Sequence, residues 1–426
     1  MMKRIVSISL LILSVSFAFG QKRNVTSCWS YLNDGFLGDA LESIEKASKD
    51  PKTADWYKTW WYYGQTYQAL STTEKEKYQK LCDNCADKAF ESYIKSIKLN
   101  FEDPEIKQLD LESEVGATKF IRAVIGNLRD NEPKVEDQRA IIDIIQVRFP
   151  ALANGFVNKG IKLFQQKEYA QALEQFEKSL TISSLAMKAD TAVIYYASLA
   201  AINAQNWEKT KDYCKTLKQL DYGDKPEEKA LITLNLAKAY KHTGDIAKYI
   251  TTLEAGREEF PENSYDIVIE LFNHYIDNKD YEEAHKYISL AIEVNPEEAS
   301  FYVVRGTLNE EINNIEEAIS DYKKALELNP ENFDANYSLG AYYYNYAADT
   351  LTWANENIPP TEVQKYSEIQ KKANEYFKKA KPYLEQARTI KNDDINVLRT
   401  LRTIYYKLEE MEKYEEVDST LKALTE

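Results

Sequence analysis

The sequence predicts an all-α fold, an α-solenoid of antiparallel helix pairs, and three observations predict it. Glycine is scarce, thirteen in 426 residues, and the Ala-, Leu- and Lys-rich segments hold few alternating β-branched runs, so helix dominates. Pro261, Pro296 and Pro330 stand 35 and 34 residues apart, the interval at which a two-helix unit recurs. Within each interval small and aromatic residues reappear at helical offsets of three, four and seven. A chain of this length could make two or three ordinary domains; the repeat favours one elongated array.

Residues 1–20, "MMKRIVSISLLILSVSFAFG", join a basic start (Lys3, Arg4), an apolar run of about fifteen residues and a small-x-small end at Ala18-Phe19-Gly20, the pattern of a secretory signal peptide. The run is shorter than the about twenty residues that a membrane span needs. "VTSC" at 25–28 superficially resembles a lipid-attachment box, but polar Gln21 to Asn24 separate it from the apolar run. No later segment reads as long and apolar enough to cross a membrane, so the mature chain is expected to carry no span. It is expected to be exported and periplasmic or otherwise associated with the cell envelope.

Residues 21–104 read as N-terminal repeats with an inserted loop. In "WWYYGQTYQAL", Trp60, Tyr63, Gly64 and Tyr67 share one helical face, while Trp61 and Gln65 lie on its flank. The first set reads as packing, with Gly64 letting a paired helix approach. Ala89, Tyr93 and Ser96 mark that second helix, and the insertion at about 71–84 carries "CDNC". Cys82 and Cys85 could be a redox pair, half a metal site, or a local loop closure. There is no strand before them and no second Cys or His pair, so a disulfide or free thiols is the preferred reading. Residues 105–150 fit the repeat poorly and are read as a divergent helical repeat.

From 151 to 426 the array is regular. Phe156, Gly160, Leu163, Tyr169, Ala172, Phe176 and Ser179 make one copy; Ile194, Ser198, Trp207, Cys214 and Leu217 make the next. Further copies run through Ala237 and Leu253, through Leu271 and Ile288, and through Gly306, Ala318, Tyr322 and Ala325. Leu339, Gly340 and Tyr343 open another that resumes at Ala380, Leu384 and Ala387. Between them, a helix from Phe333 to about Asn357, a break at Pro359-Pro360 and a returning helix form an insertion near 345–379, with Pro382 expected to kink the return. Residues 395–426 read as polar capping helices.

This spacing resembles the tetratricopeptide repeat: an aromatic, two residues, an apolar, a small residue, then Ala-x3-aromatic-x2-Ala and a closing proline. The resemblance implies a right-handed superhelix of antiparallel helix pairs. It also implies that the first helix of each pair lines a concave side where extended peptides or helices lie. Carried over by pattern, the partner-binding groove comprises Trp61, Gln65, Val157, Ile161, Phe164, Tyr195, Leu199, Lys238, Lys241, Asn273, Tyr337, Ala341 and Tyr344. The lysine-and-asparagine clamp that one variant of the family uses for chaperone C-termini is not expected, because Val157 and Ile161 occupy its positions. Arg305, Asn309 and Phe272 depart from the pattern, and local helix angles are expected to differ there.

Nothing in the chain points to catalysis. There are three histidines, His242, His274 and His285, and no glycine-rich phosphate loop, nucleophile elbow or metal-ligand spacing. No metal or other cofactor is expected. The formal charge of −15, with no basic clusters, argues against nucleic acid as the main partner. The expectation is therefore an exported, non-enzymatic scaffold that binds a protein or peptide partner and is similar to exported tetratricopeptide proteins of the Bacteroidetes type. A nutrient- or glycan-binding protein similar to the repeat-containing starch-utilisation outer-membrane proteins is the alternative. The oligomeric state and the partner's identity are not legible.

Overall fold

The computed structural model describes residues 22–111, 114–186, 188 and 190–425. The expected leader, residues 1–20, lies outside the described residues. Among them the fold is all-α, and the one β-type pairing is an isolated antiparallel bridge between Phe101 and Val135.

The helix pairs without an insertion share one register, in which a position on the first helix, small in most pairs, faces one sixteen positions later on the second. Ser198 with Cys214, Ala237 with Leu253 and Gly306 with Tyr322 obey it, and all six are buried. The reason is close approach. A Cβ built on Gly306 would stand 2.7 Å from the Tyr322 ring, and one on Gly64 would stand 2.6 Å from the Tyr93 ring. No real side chain fits there, so glycine lets the aromatic fill the space between the helices.

In these pairs the chain turns left-handed seven residues beyond that position. Gly35 (φ 74°), Lys167 (65°), Gln205 (56°), Lys279 (58°), Asn313 (60°) and Glu409 (61°) take this conformation. The residue after the turn donates its N–H back to the first helix, as Asn206 does to Ala201 (2.8 Å) and Asp280 to Tyr275 (2.9 Å), which satisfies carbonyls that the helix end would orphan. That same residue caps the second helix: the Asn206 and Asp280 side chains accept from the N–H groups of Lys209 and Glu283.

The described residues divide into two compact units, one of 22–222 with 242–244, the other of 223–241 with 245–425. The first unit's main cluster gathers Tyr67, Tyr93, Phe101, Phe120, Ile144, Phe149 and Phe156. The divergent segment joins it differently from the expectation. After the Glu114–Asp130 helix, one continuous helix runs Gln138–Gln165, so the boundary placed between residues 150 and 151 falls inside a helix. Pro150 does not end it. A π-turn at Ile144–Arg148 ends two residues before this proline and shifts the hydrogen-bond register near its missing N–H. This helix is also long and apolar enough to cross a membrane (mean hydropathy 1.3), which corrects the expectation that no later segment is. Ile141, Ile144, Phe149, Leu152 and Phe156 bury its apolar face in the core.

In the second unit the helices Phe333–Asn357 and Val363–Ile390 pair along their length. Gly340 still opposes Leu384, with a Cβ position 2.5 Å from its side chain. The register therefore survives an insertion of twenty-eight residues, by the difference between this pair's separation and the usual sixteen. Ala347, Ala354, Ala373 and Phe377 are buried along this hairpin, and the Tyr346 and Tyr376 rings meet at 4.1 Å. The base of the hairpin belongs to the C-terminal cluster with Leu384, Val397, Leu401 and Val417. The helix continues through Pro382.

Candidate partner-binding strip on the first helices

The thirteen residues assigned to the groove occupy three positions of the register. Trp61, Val157, Tyr195 and Tyr337 come three before the small residue; Gln65, Ile161, Leu199, Lys238, Asn273 and Ala341 come one after; Phe164, Lys241 and Tyr344 come four after. Asn273 is exposed and the other twelve are half-buried. These positions edge the core and remain partly open to solvent.

In the first unit, Val157, Ile161 and Phe164 pack against the cluster of Ala172, Phe176, Val193 and Ala197, and Tyr195 stacks on Tyr222 at 5.4 Å. Trp61 is more committed than its place on the flank suggested. Its indole N–H donates to Asp143 Oδ2 at 2.8 Å, eighty-two residues away, and its ring packs on the main cluster. Trp60, expected to be buried packing, is half-buried; it donates to the Ala54 carbonyl at 2.6 Å and carries the Lys95 amine 3.6 Å above its ring.

In the second unit the strip changes character along the chain. Lys241 reaches Glu270 at 3.2 Å and Lys238 reaches it at 3.9 Å, so these lysines are held by a carboxylate. Tyr249 donates to the same carboxylate at 3.0 Å. His274 lies edge-on to Tyr249, and burial together with Lys241 holds its pKa below the usual value. Farther on, Tyr337 stacks on Phe333 at 6.0 Å and Tyr344 meets Phe377 at 5.8 Å, with Ala341 between them.

The register also finds residues that the sequence reading missed. Trp29, one after Cys28, is 49% exposed, and Tyr406, four after Arg402, is 59% exposed. The exposed Arg399 stands three before Arg402. Their signal was the left-handed turn seven residues after Cys28 and Arg402, which in a sequence shows as glycine at 35 but as glutamate at 409.

The tyrosine surplus has a structural use. Tyr213 donates to Glu177 at 2.8 Å and Tyr405 to Glu385 at 2.9 Å; Tyr287 donates to Glu254. Each links one helix pair to the preceding one through a hydroxyl on a neighbouring carboxylate, with the ring buried at Tyr287 and Tyr405 and half-buried at Tyr213. Burial first, then that carboxylate, pushes each phenol's pKa upward.

Cys82 and Cys85 are joined as a disulfide, with Cα atoms 5.5 Å apart, at the start of the Cys85–Asn100 helix. Cys28 and Cys214 are free and buried. Among the described residues no group of three or more His, Cys, Asp or Glu side chains is placed to hold a metal ion.

Comparison with known proteins identifies the repeat type of one segment. Residues 310–345 match the model of the TPR repeat, and no curated protein matches the chain. Among solved structures it is similar to YrrB, described as a TPR protein with an unusual peptide-binding site (17% identity over 45% of this chain and 93% of that one, TM-score 0.34). It is also similar to a TPR repeats protein from Bacteroides fragilis (23%, 60% and 98%, TM-score 0.27). A third is the C-terminal part of a TPR repeat-containing protein from Cytophaga hutchinsonii (14%, 63% and 95%, TM-score 0.43). The matched segment spans the turn at Asn313, the Ile315–Leu328 helix and the start of the next pair, and helix pairs of the same register recur among the described residues, so this segment carries a TPR repeat within an all-α array of helix pairs.

Proposed function

We propose that the protein is an exported, non-enzymatic scaffold of the cell envelope that holds a protein or peptide partner along the first-helix strip. The observation that carries this reading is the strip itself. The same three positions in successive repeats present half-exposed side chains, aromatic or aliphatic in most of the thirteen. A repeated row of partly open apolar side chains suits an extended partner, which can bury one side chain per repeat. The peptide-binding site named for YrrB lies on the same repeat type. Export rests on the pattern of residues 1–20.

The test is capture of partners from native envelope extract by immobilised residues 22–426, comparing the parent with Tyr337→Ala and Tyr406→Ala. Specific proteins retained by the parent and lost from both variants, with helical circular dichroism intact, support the reading. Retention of polysaccharide alone, or partners indifferent to both substitutions, overturns it.

A further inference from the structure

We infer that the projecting hairpin between Phe333 and Ile390 is a self-association surface, and that its occupant is the hairpin of a second copy of this chain, packed antiparallel. The hairpin's interior is already satisfied: Ala347, Ala354, Ala373 and Phe377 close it from within. One flank nevertheless leaves large apolar groups partly open to solvent. Tyr346 and Trp353, seven residues apart on one helix face, are 37% and 50% exposed, and Tyr376 of the returning helix touches Tyr346.

Charge on this flank is separated along its length. Lys372 and Lys379 stand over the Tyr346 and Tyr376 rings, at 6.0 and 4.8 Å, nearer the base. Asp349, Glu356 and Glu368 are exposed, with Glu356 and Glu368 nearer the tip. None of these five side chains takes part in an ion pair among the described residues. A two-fold axis through the flank near Trp353 would set the tip carboxylates of one copy against the basal lysines of the other and stack the aromatic groups between them. Such a surface is complementary to itself only when antiparallel, as a closed dimer requires. Two helical hairpins laid flank to flank form a four-helix packing.

The projecting stretch, about fourteen residues per helix, is about 21 Å long. That length limits the buried area to roughly half of a standard interface, so the dimer is expected to be weak and salt-sensitive. Projection also keeps the two bodies of a chain with formal charge −15 apart.

Sedimentation equilibrium of the purified full chain tests the inference over about 5–500 μM, at low and high salt. The parent should pass from monomer to dimer, with at least about tenfold weaker association at high salt. Trp353→Asp, the pair Lys372→Glu with Lys379→Glu, and the triple Asp349→Lys, Glu356→Lys and Glu368→Lys should each remain monomeric. All six positions are solvent-facing, and circular dichroism reports that each variant is folded. An equimolar mixture of the two charge variants should restore a heterodimer. A parent that stays monomeric overturns the inference, and so does a dimer indifferent to every substitution. Charge variants that are monomeric alone and in the mixture overturn the antiparallel pairing. Partner capture by Tyr337 and Tyr406 is read separately, so failure here leaves the proposed function standing.

Discussion

Arg305 grips Asp321 at two points inside a helix pair: Nη2 donates to Oδ1 at 2.7 Å and Nε to Oδ2 at 3.0 Å. Asn309 donates a third hydrogen bond to the same carboxylate at 3.0 Å, and Asp321 is 5% exposed. Arg305 and Asn309, departures from the repeat pattern, are thus explained together by one buried acid. Asp321→Ala would strand a half-buried guanidinium and a buried amide. It should cost about 2–4 kcal/mol in urea denaturation, the lower part reflecting the water still reaching Arg305. Replacing all three by Leu should recover most of the loss.

Gly306→Ala places a methyl group against the Tyr322 ring and should destabilise by about 1–3 kcal/mol. Adding Tyr322→Leu recreates the Ala237 and Leu253 pairing found elsewhere in the chain. Most of the stability should return in the double variant, read as the shift in urea midpoint at constant slope.

Left-handed turns occupied by Lys279 and Glu409 strain an L-residue backbone. Glycine there removes the strain but enlarges the unfolded ensemble, so each replacement should stabilise by about 0.5–1 kcal/mol net. Gly244→Ala, at φ 84°, should shift thermal unfolding the opposite way.

Alkaline pH should unfold the protein. Burial pushes the Cys28 and Cys214 thiols up to about 11 and about 12, from 9.0, and moves the phenols of Tyr213, Tyr249 and Tyr405 upward from 10.0. Groups raised in the folded state bind more protons there than in the unfolded chain. Their contribution is complete below pH 9 and is lost as pH climbs through 9–12. Urea midpoints measured from pH 8 to 11 should fall steadily, and Cys214→Ala should flatten the part that begins near pH 9.

Removing Ala348 to Glu375, the twenty-eight inserted residues, and changing Ala347 to Gly for the turn should leave a cooperative array. The wider cut of residues 346–379 also removes Phe377, 1% exposed in the C-terminal cluster, and should lower the melting temperature. Differential scanning calorimetry of the two deletions distinguishes them.

The helix pairs were legible because close approach leaves a mark in residue type: Gly64 announces Tyr93 and Gly306 announces Tyr322. The long helix through Pro150 was not, since a π-turn absorbs the missing donor without any sequence signal. Turns at Lys279 and Glu409 were equally silent, because side chains tolerated at a cost in a left-handed turn do not advertise it. The strip's positions could be carried over, but their surroundings could not. Trp61 bonds to Asp143 and Lys241 to Glu270 across distances in sequence that no local pattern spans, and Tyr406 became visible only when Glu409 placed the register.

A residue that ends one helix and caps the next makes each pair close locally, over about sixteen residues. Contact order is therefore low, and pairs can form one after another as the chain becomes available, with no wait for distant partners. Two pairs are wider: Gly64 with Tyr93 stand twenty-nine residues apart, and the forty-four-residue separation of Gly340 and Leu384 adds about 0.9 kcal/mol of loop-closure entropy relative to sixteen. Of the six described pairs whose first helix begins after residue 150, the one with the hairpin is the slowest to zip.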